Sequence, residues 1–216
     1  MKERLTKTSY LSYLRCPQEY WLLANQPLFV MEPYSLEYEH LRQQGYAVQQ
    51  LVKQLDKFQS NDNFAVDFER AFQTADLYAR TDIVLTDRVT GIVDIYEIKS
   101  SASVKEDHYD DVAFQKLTLE ASGSTVGRCY VITMNGEYVR HGTLDPEQLF
   151  VITDVTAEID ERMDVTARQA KDAVVYLKSV PVPSLVDYCV ATRQVARATA
   201  LCRTIDGRGS ATQVVT

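Results

Sequence analysis

Apolar residues recur three and four apart from Leu41 through Val48, Leu51, Val52 and Leu55 to Phe58, a spacing that predicts an amphipathic helix over residues 36–58. Gly45 lies inside it, lowering helix propensity locally and suggesting close packing there. The period then changes. FAVDFERAF ending at Phe72, LYARTDIVLT ending at Thr86 and GIVDIYEIK ending at Lys99 read as short strands separated by polar or glycine-bearing turns. Three consecutive strands at this spacing suggest an antiparallel meander. A helix fits His108 to Ala121, with GSTVG as its exit, followed by the strand CYVITM and an Asn135-Gly136 hairpin turn into EYVRHG. LFVIT is a last strand. A second long helix follows Asp154 as its N-cap, with Ile159, Met163, Ala167, Ala170, Val174 and Leu177 as its apolar stripe, and Pro181 and Pro183 end it.

This order of elements predicts an α/β sandwich, a central mixed β-sheet flanked by helices. A chain of 216 residues, 45% of them hydrophobic, can bury one substantial core. We therefore assign one domain to residues 1–180, opened by a helical segment over 1–35 that carries Cys16, and a cysteine-bearing C-terminal segment to 181–216. Its end, TIDGRGSATQVVT, lacks apolar periodicity and is expected to be flexible. The chain shows no long apolar run and no apolar stretch behind its N-terminal basic residues, which points to a cytoplasmic protein without a membrane anchor.

Side chains alternate along a strand, so Val93, Ile95, Glu97 and Lys99 share one face of GIVDIYEIK while Ile92, Asp94, Tyr96 and Ile98 share the other. A carboxylate and an ammonium two residues apart on an otherwise apolar face are exposed at the sheet margin, paired, or at work. Antiparallel pairing with the preceding strand would bring Asp82 beside Glu97. Two carboxylates that close repel, and a hard divalent cation such as Mg²⁺ resolves the conflict. Lys99 beside such an ion would orient a water or stabilise charge on a scissile phosphate, which makes the trio a candidate phosphodiester-hydrolysing site. A surface ion pair plus a strand-end charge explains the trio taken in isolation.

The trio sits in the second and third strands of a helix-strand-strand-strand-helix-strand order, and in this it resembles the PD-(D/E)XK nuclease core, a restriction-endonuclease-like fold. ARTDIVL, YEIKSSASVKEDHYDDVAFQ, YVITMNGEYVRHG and LFVITDVT resemble its RecB-like branch over roughly residues 8–177, a branch that includes iron–sulfur exonucleases, CRISPR-adaptation nucleases and a large uncharacterised bacterial nuclease family. The resemblance implies a deoxyribonuclease, exonuclease-like, acting on DNA single strands or ends in repair or defence. Asp82 and Glu97 would bind Mg²⁺ or Mn²⁺, Lys99 would be the catalytic lysine, and Gln115 would match the glutamine of the next helix. His108, Asp111 and Gln115 stack on one helical face; His108 is expected in solvent and Gln115 in the cleft.

Two positions depart from the pattern. Relatives carry a tyrosine four residues after the glutamine, where this chain has Leu119, and many carry a histidine metal ligand four residues after the helix glycine, where it has Gln49. His40 and Glu39 lie too far along the helix to substitute and are assigned to the surface. These departures keep open a second reading, a catalytically weak nucleic-acid-binding or interaction module that retains the fold.

Four cysteines, Cys16, Cys129, Cys189 and Cys202, are too few and too scattered for a secreted disulfide scaffold. LSYLRCPQEYWL resembles the N-terminal cysteine region of the iron–sulfur branch, where one early and three late cysteines hold a 4Fe–4S cluster. The resemblance implies Cys16, Cys189 and Cys202 as ligands, with Ala196 near the place of the third late cysteine. Either a non-cysteine ligand or a partner protein completes the set, or the cluster is lost and Cys16 packs as an apolar residue. Cys129, in a strand, reads as a small buried hydrophobe. The net charge of −7 runs against phosphate binding, yet residues 1–21 and 187–216 each carry +2 and confine an acidity of −11 to the stretch between them. An ordinary solvated charge distribution explains this equally.

Overall fold

The computed structural model describes residues 4–25 and 36–178. In chain order the elements are β1 (Leu5–Thr6), α1 (Lys7–Arg15), α2 (Pro17–Asn25), α3 (Leu36–Val52), β2 (Phe64–Gln73), β3 (Leu77–Asp87), β4 (Val93–Ile98), α4 (Glu106–Ala121), β5 (Val126–Met134), α5 (Pro146–Leu149), β6 (Phe150–Asp154) and α6 (Thr156–Leu177). The helix stop at Pro181 and Pro183, the boundary at residue 180, Cys189, Cys202 and the C-terminal tail lie outside the described residues.

The strands form one mixed sheet in the order β1-β3-β4-β5-β6, with β2 on the other edge of β3. β2, β3 and β4 are the antiparallel meander that their alternation predicts. The turn from β3 to β4 is set locally: Asp87 Oδ1 accepts the Val89 and Thr90 N–H groups, each at 2.8 Å, and Gly91 takes φ 71°. β5 runs parallel to β4, as α4 carries the chain back across the sheet between them. β6 closes that edge antiparallel to β5.

Alternation divides the core between the two faces of the sheet. Val84, Val93, Ile95, Cys129 and Val131 pack with Val112, Ala113 and Leu119 of α4 and Ile159 of α6. Ile83, Tyr96, Ile98 and Ile132 pack on the opposite face with Val52, Leu55 and Phe58 at and beyond the end of α3. A third cluster docks the N-terminal helices: Leu5, Tyr10 and Tyr20 meet Phe114 of α4 and Ala170 and Ala173 of α6. These layers are the expected sandwich with a mixed sheet.

Several local expectations give way to packing. EYVRHG forms no strand, because β6 takes the edge of β5 that a hairpin would need, and neither alternate set of EYVRHG is apolar enough to face a core. Asn135 turns the chain instead, its Oδ1 accepting Glu137 N–H at 3.0 Å. α3 stops at Val52, and Leu55 and Phe58 reach the core from a turn and a short 3₁₀ segment, Asp56–Phe58. At Gly45 a Cβ would meet no heavy atom of the described residues within 4 Å, so the glycine does not mark close packing. In α6 the buried stripe runs through Ile159, Thr166, Ala170 and Ala173, and Ala167 is exposed. Asp154 receives Thr156 N–H at 3.0 Å from one position ahead of the helix boundary residue, Val155.

Candidate active site

β3 changes partner in mid-strand. On one edge it pairs with β1 as far as Tyr78 and with β4 only from Ile83, so residues 79–82 have no ladder partner there. On the other edge the register with β2 includes Phe68↔Ile83 and Arg70↔Thr81 but omits the pair between them. Glu69, the residue that register sets against Asp82, has φ 55°, a left-handed conformation that costs a non-glycine residue on the order of 1 kcal/mol. Asp82 fills the resulting gap. Its Oδ2 accepts Ile98 N–H at 2.9 Å, standing in for a strand carbonyl, and its Oδ1 accepts Gln49 Nε2 at 3.3 Å.

Glu97 continues the face of β4 that buries Val93 and Ile95 and is 4% exposed. Donors surround it. Lys7 Nζ, at 2.9 Å, and Lys99 Nζ, at 2.8 Å, both donate to Oε1, while Gln115 Nε2 donates to Oε2 at 2.7 Å. Asp111, one helical turn before Gln115 and 2% exposed, accepts Gln115 Nε2 on Oδ1 at 2.9 Å and Lys99 Nζ on Oδ2. Lys7 Nζ lies 3.2 Å from Asp111 Oδ1. Glu97 and Asp111 therefore share two ammonium groups, while among the described residues Asp82 has only the Ile98 N–H and the Gln49 amide as donors.

That imbalance separates the acids. Burial alone would raise Glu97, but Lys7 and Lys99 outweigh it and hold its pKa down at about 2. Burial and the charge of Glu97 push Asp82 up to about 7, against Lys7, the Ile98 N–H and Lys99. Burial and Glu97 also raise Asp111 despite its two ammonium neighbours; donors on both its oxygens are the pattern of a carboxylate. For Lys99 and Lys7 burial works against the charge, and the surrounding carboxylates more than offset it, so both are raised.

The structure thus brings together Asp82, Glu97, Lys99 and Gln115, and adds Asp111 and Lys7. Gln49 stands at Asp82, in contact with one oxygen. His108 is a correction: it is 6% exposed, and its Nδ1 accepts Lys105 N–H at 3.1 Å to cap α4. Its ring faces inward because α4 is buried on most sides, from Asp111 through Lys116 without a break. His40 is exposed beside Gln44, and Glu39 pairs with Arg42 at 2.8 Å, both on the surface as expected. Leu119 is wholly buried in the core.

Cys16 is half-buried between α1 and α2, its Sγ 3.5 Å from Gln18 Oε1 and accepting Glu19 N–H at 3.5 Å. Cys129 is fully buried and burial pushes its thiol up to about 12, the small hydrophobe anticipated.

Among the described residues no three His, Cys, Asp or Glu side chains are arranged to hold one metal ion together. A hard cation that keeps several waters needs only one or two carboxylates: among the described residues Asp82 Oδ1 is engaged only by the 3.3 Å contact from Gln49 and fits such an ion, whereas Glu97 would have to give up one of the lysine or amide donors on its two oxygens. No helix among the described residues is long and apolar enough to cross a membrane.

No family model matches the chain, and no curated protein matches it. Among solved structures it is similar to SSO0001 at 15% identity and a TM-score of 0.49, over 84% of this chain and 80% of that one. It is also similar to the alkaline exonuclease LHK-Exo from Laribacter hongkongensis at 14% identity and a TM-score of 0.41, over 81% of this chain and 91% of that one. The same exonuclease in complex with dAMP gives 14% identity and a TM-score of 0.40 over the same shares, 81% and 91%. Likenesses this slight assign neither a family nor an activity; what stands is an α/β fold with a central mixed sheet between helices.

Proposed function

We propose that the chain is a Mg²⁺- or Mn²⁺-dependent nuclease that hydrolyses phosphodiester bonds in DNA, acting on single strands or ends. The observation that carries this reading is the meeting of Asp82, Glu97, Lys99 and Gln115, contributed by β3, the end of β4 and α4, at the gap where β3 changes partner. Asp82 and Glu97 would hold the ion, which supplies charge neutralisation at a scissile phosphate and a more acidic water. Gln115 fixes Glu97 by bonding it and Asp111 with one amide group. Lys99, anchored between Glu97 and Asp111, holds a positive charge beside the place where the phosphate would lie. The resemblance noted above adds a setting, repair or defence against foreign DNA.

Incubating the purified chain with labelled single- and double-stranded DNA and Mn²⁺, beside Lys99→Ala and Glu97→Ala, tests the reading. Cleavage that both substitutions abolish is expected. Binding without cleavage in every form supports instead a nucleic-acid-binding or interaction module, a reading favoured by the lack of a third acidic or imidazole ligand among the described residues and by the amide of Gln49 at Asp82. Iron content after anaerobic purification tests separately whether Cys16, Cys189 and Cys202 hold a 4Fe–4S cluster.

A further inference from the structure

Helix α1 delivers a charge that hydrolysis by Asp82, Glu97 and Lys99 does not require. Thr6 caps the helix, its side chain accepting Ser9 N–H at 3.2 Å, and Tyr10 stacks on Phe114 of α4 with ring centroids 4.8 Å apart. These two contacts fix the first turn of α1 against α4 and aim Lys7 into the acidic cluster. Its ammonium lies 2.9 Å from Glu97 Oε1 and 3.2 Å from Asp111 Oδ1. Lys99 already makes an ion pair with each of the same two carboxylates. Two ammonium groups on one carboxylate oxygen repel each other.

The Lys7 side chain is 24% exposed, so its ammonium lies within reach of solvent, on a long stem that can swing without disturbing the helix. A divalent ion on Glu97 would place a like charge beside it. An incoming phosphodiester would offer it a new anionic partner.

We propose that Lys7 is a resident counter-cation that competes with the divalent ion for Glu97 and is drawn off by a nucleic-acid phosphate, so that ion and nucleic acid bind cooperatively. The inference rests on the nuclease reading, since it presumes that Glu97 takes a divalent ion. Linkage makes the effect reciprocal: whatever factor the nucleic acid adds to metal affinity, the metal adds to nucleic-acid affinity.

The test is a titration of the full chain with Mn²⁺, following the free ion by electron paramagnetic resonance, with and without a cleavage-resistant phosphorothioate oligothymidylate. Lys7→Met and Lys7→Gln remove the charge, whereas Lys7→Arg keeps it; circular dichroism melts without metal verify that each form is folded. Both neutral variants are expected to bind Mn²⁺ about fivefold or more tighter than wild type, the lower end of ordinary site-to-site coupling. The oligothymidylate should tighten Mn²⁺ binding in the wild type and in Lys7→Arg, and leave the neutral variants unchanged. A folded neutral variant that binds Mn²⁺ no tighter than wild type, or that keeps the full oligothymidylate effect, overturns the inference while leaving the nuclease reading in place. If no form, wild type included, takes up Mn²⁺, the nuclease reading falls as well.

Discussion

Replacing Asp82 by Asn tests how the acidic cluster is balanced. Burial, and then the charge of Glu97, lift the Asp82 pKa from 3.8 to about 7, against the pull of Lys7, the Ile98 N–H and Lys99. The unfolded chain is ionised at this position throughout pH 6 to 8, so a proton taken up in that window binds the folded state alone. Stability contributed here is therefore greatest in acid and is lost as the pH rises through about 7. Between pH 6 and pH 8 the loss amounts to about 1 kcal/mol, since one pKa unit corresponds to about 1.4 kcal/mol. His108 opposes this trend: burial depresses its pKa below 6.5, so the unfolded chain protonates first and acid costs stability there. Comparing wild type with Asp82→Asn at each pH cancels that contribution. Glu97, held at about 2, does not titrate in the window. Urea unfolding followed by circular dichroism in EDTA is the assay. The stability difference in favour of Asp82→Asn should grow by about 1 kcal/mol from pH 6 to pH 8. A difference that stays constant, or shrinks towards pH 8, refutes the charge balance described here.

Three further outcomes are expected. Phe114, fully buried and stacked on Tyr10, joins α1 to α4, so Phe114→Ala should cost about 3–5 kcal/mol in urea unfolding. Gly45 sits inside α3, and among the described residues no heavy atom lies within 4 Å of where its Cβ would be, so Gly45→Ala should add about 0.5–1 kcal/mol to stability, checked by the same method. At Gly127 a Cβ would lie 2.7 Å from Ile92 Cγ2 and 2.8 Å from Asp94 Oδ1, and neither neighbour is the free end of a long chain. Gly127→Ala should therefore lower the melting temperature, with a loss of about 1–3 kcal/mol.

How much of this was readable beforehand depends on the distance over which each residue's position is decided. β2, β3 and β4 were legible to within two residues because alternation and the turns between them are local properties. EYVRHG does not form the expected strand because its fate depends on which segment claims the edge of β5, and that edge goes to β6, Phe150–Asp154, further along the chain. β1, two residues long, has no period to detect. Gly45 misled because a glycine within a helix signals close packing only where another element approaches, and none of the described residues does.

The same rule separates the residues of the candidate site. Asp82, Glu97 and Lys99 were legible because a single antiparallel register places them together, and Gln115 because the resemblance to the PD-(D/E)XK core singles out a glutamine on the next helix. Asp111 shares a helical face with Gln115, four residues before it, yet a polar face reads as a solvated one unless something charged waits inside. Asp111 is buried because Lys99 and Lys7 supply that charge. Lys7 itself is joined to Glu97 across 90 residues, and nothing near it in the chain marks it as anything but the first residue of a helix. The site's acids thus belong to the local pattern of strands and helix, while one of its two cations depends on how the N-terminal helix docks. A substitution in the Tyr10–Phe114 contact should accordingly disturb the charge balance of the cluster without touching any of its carboxylates.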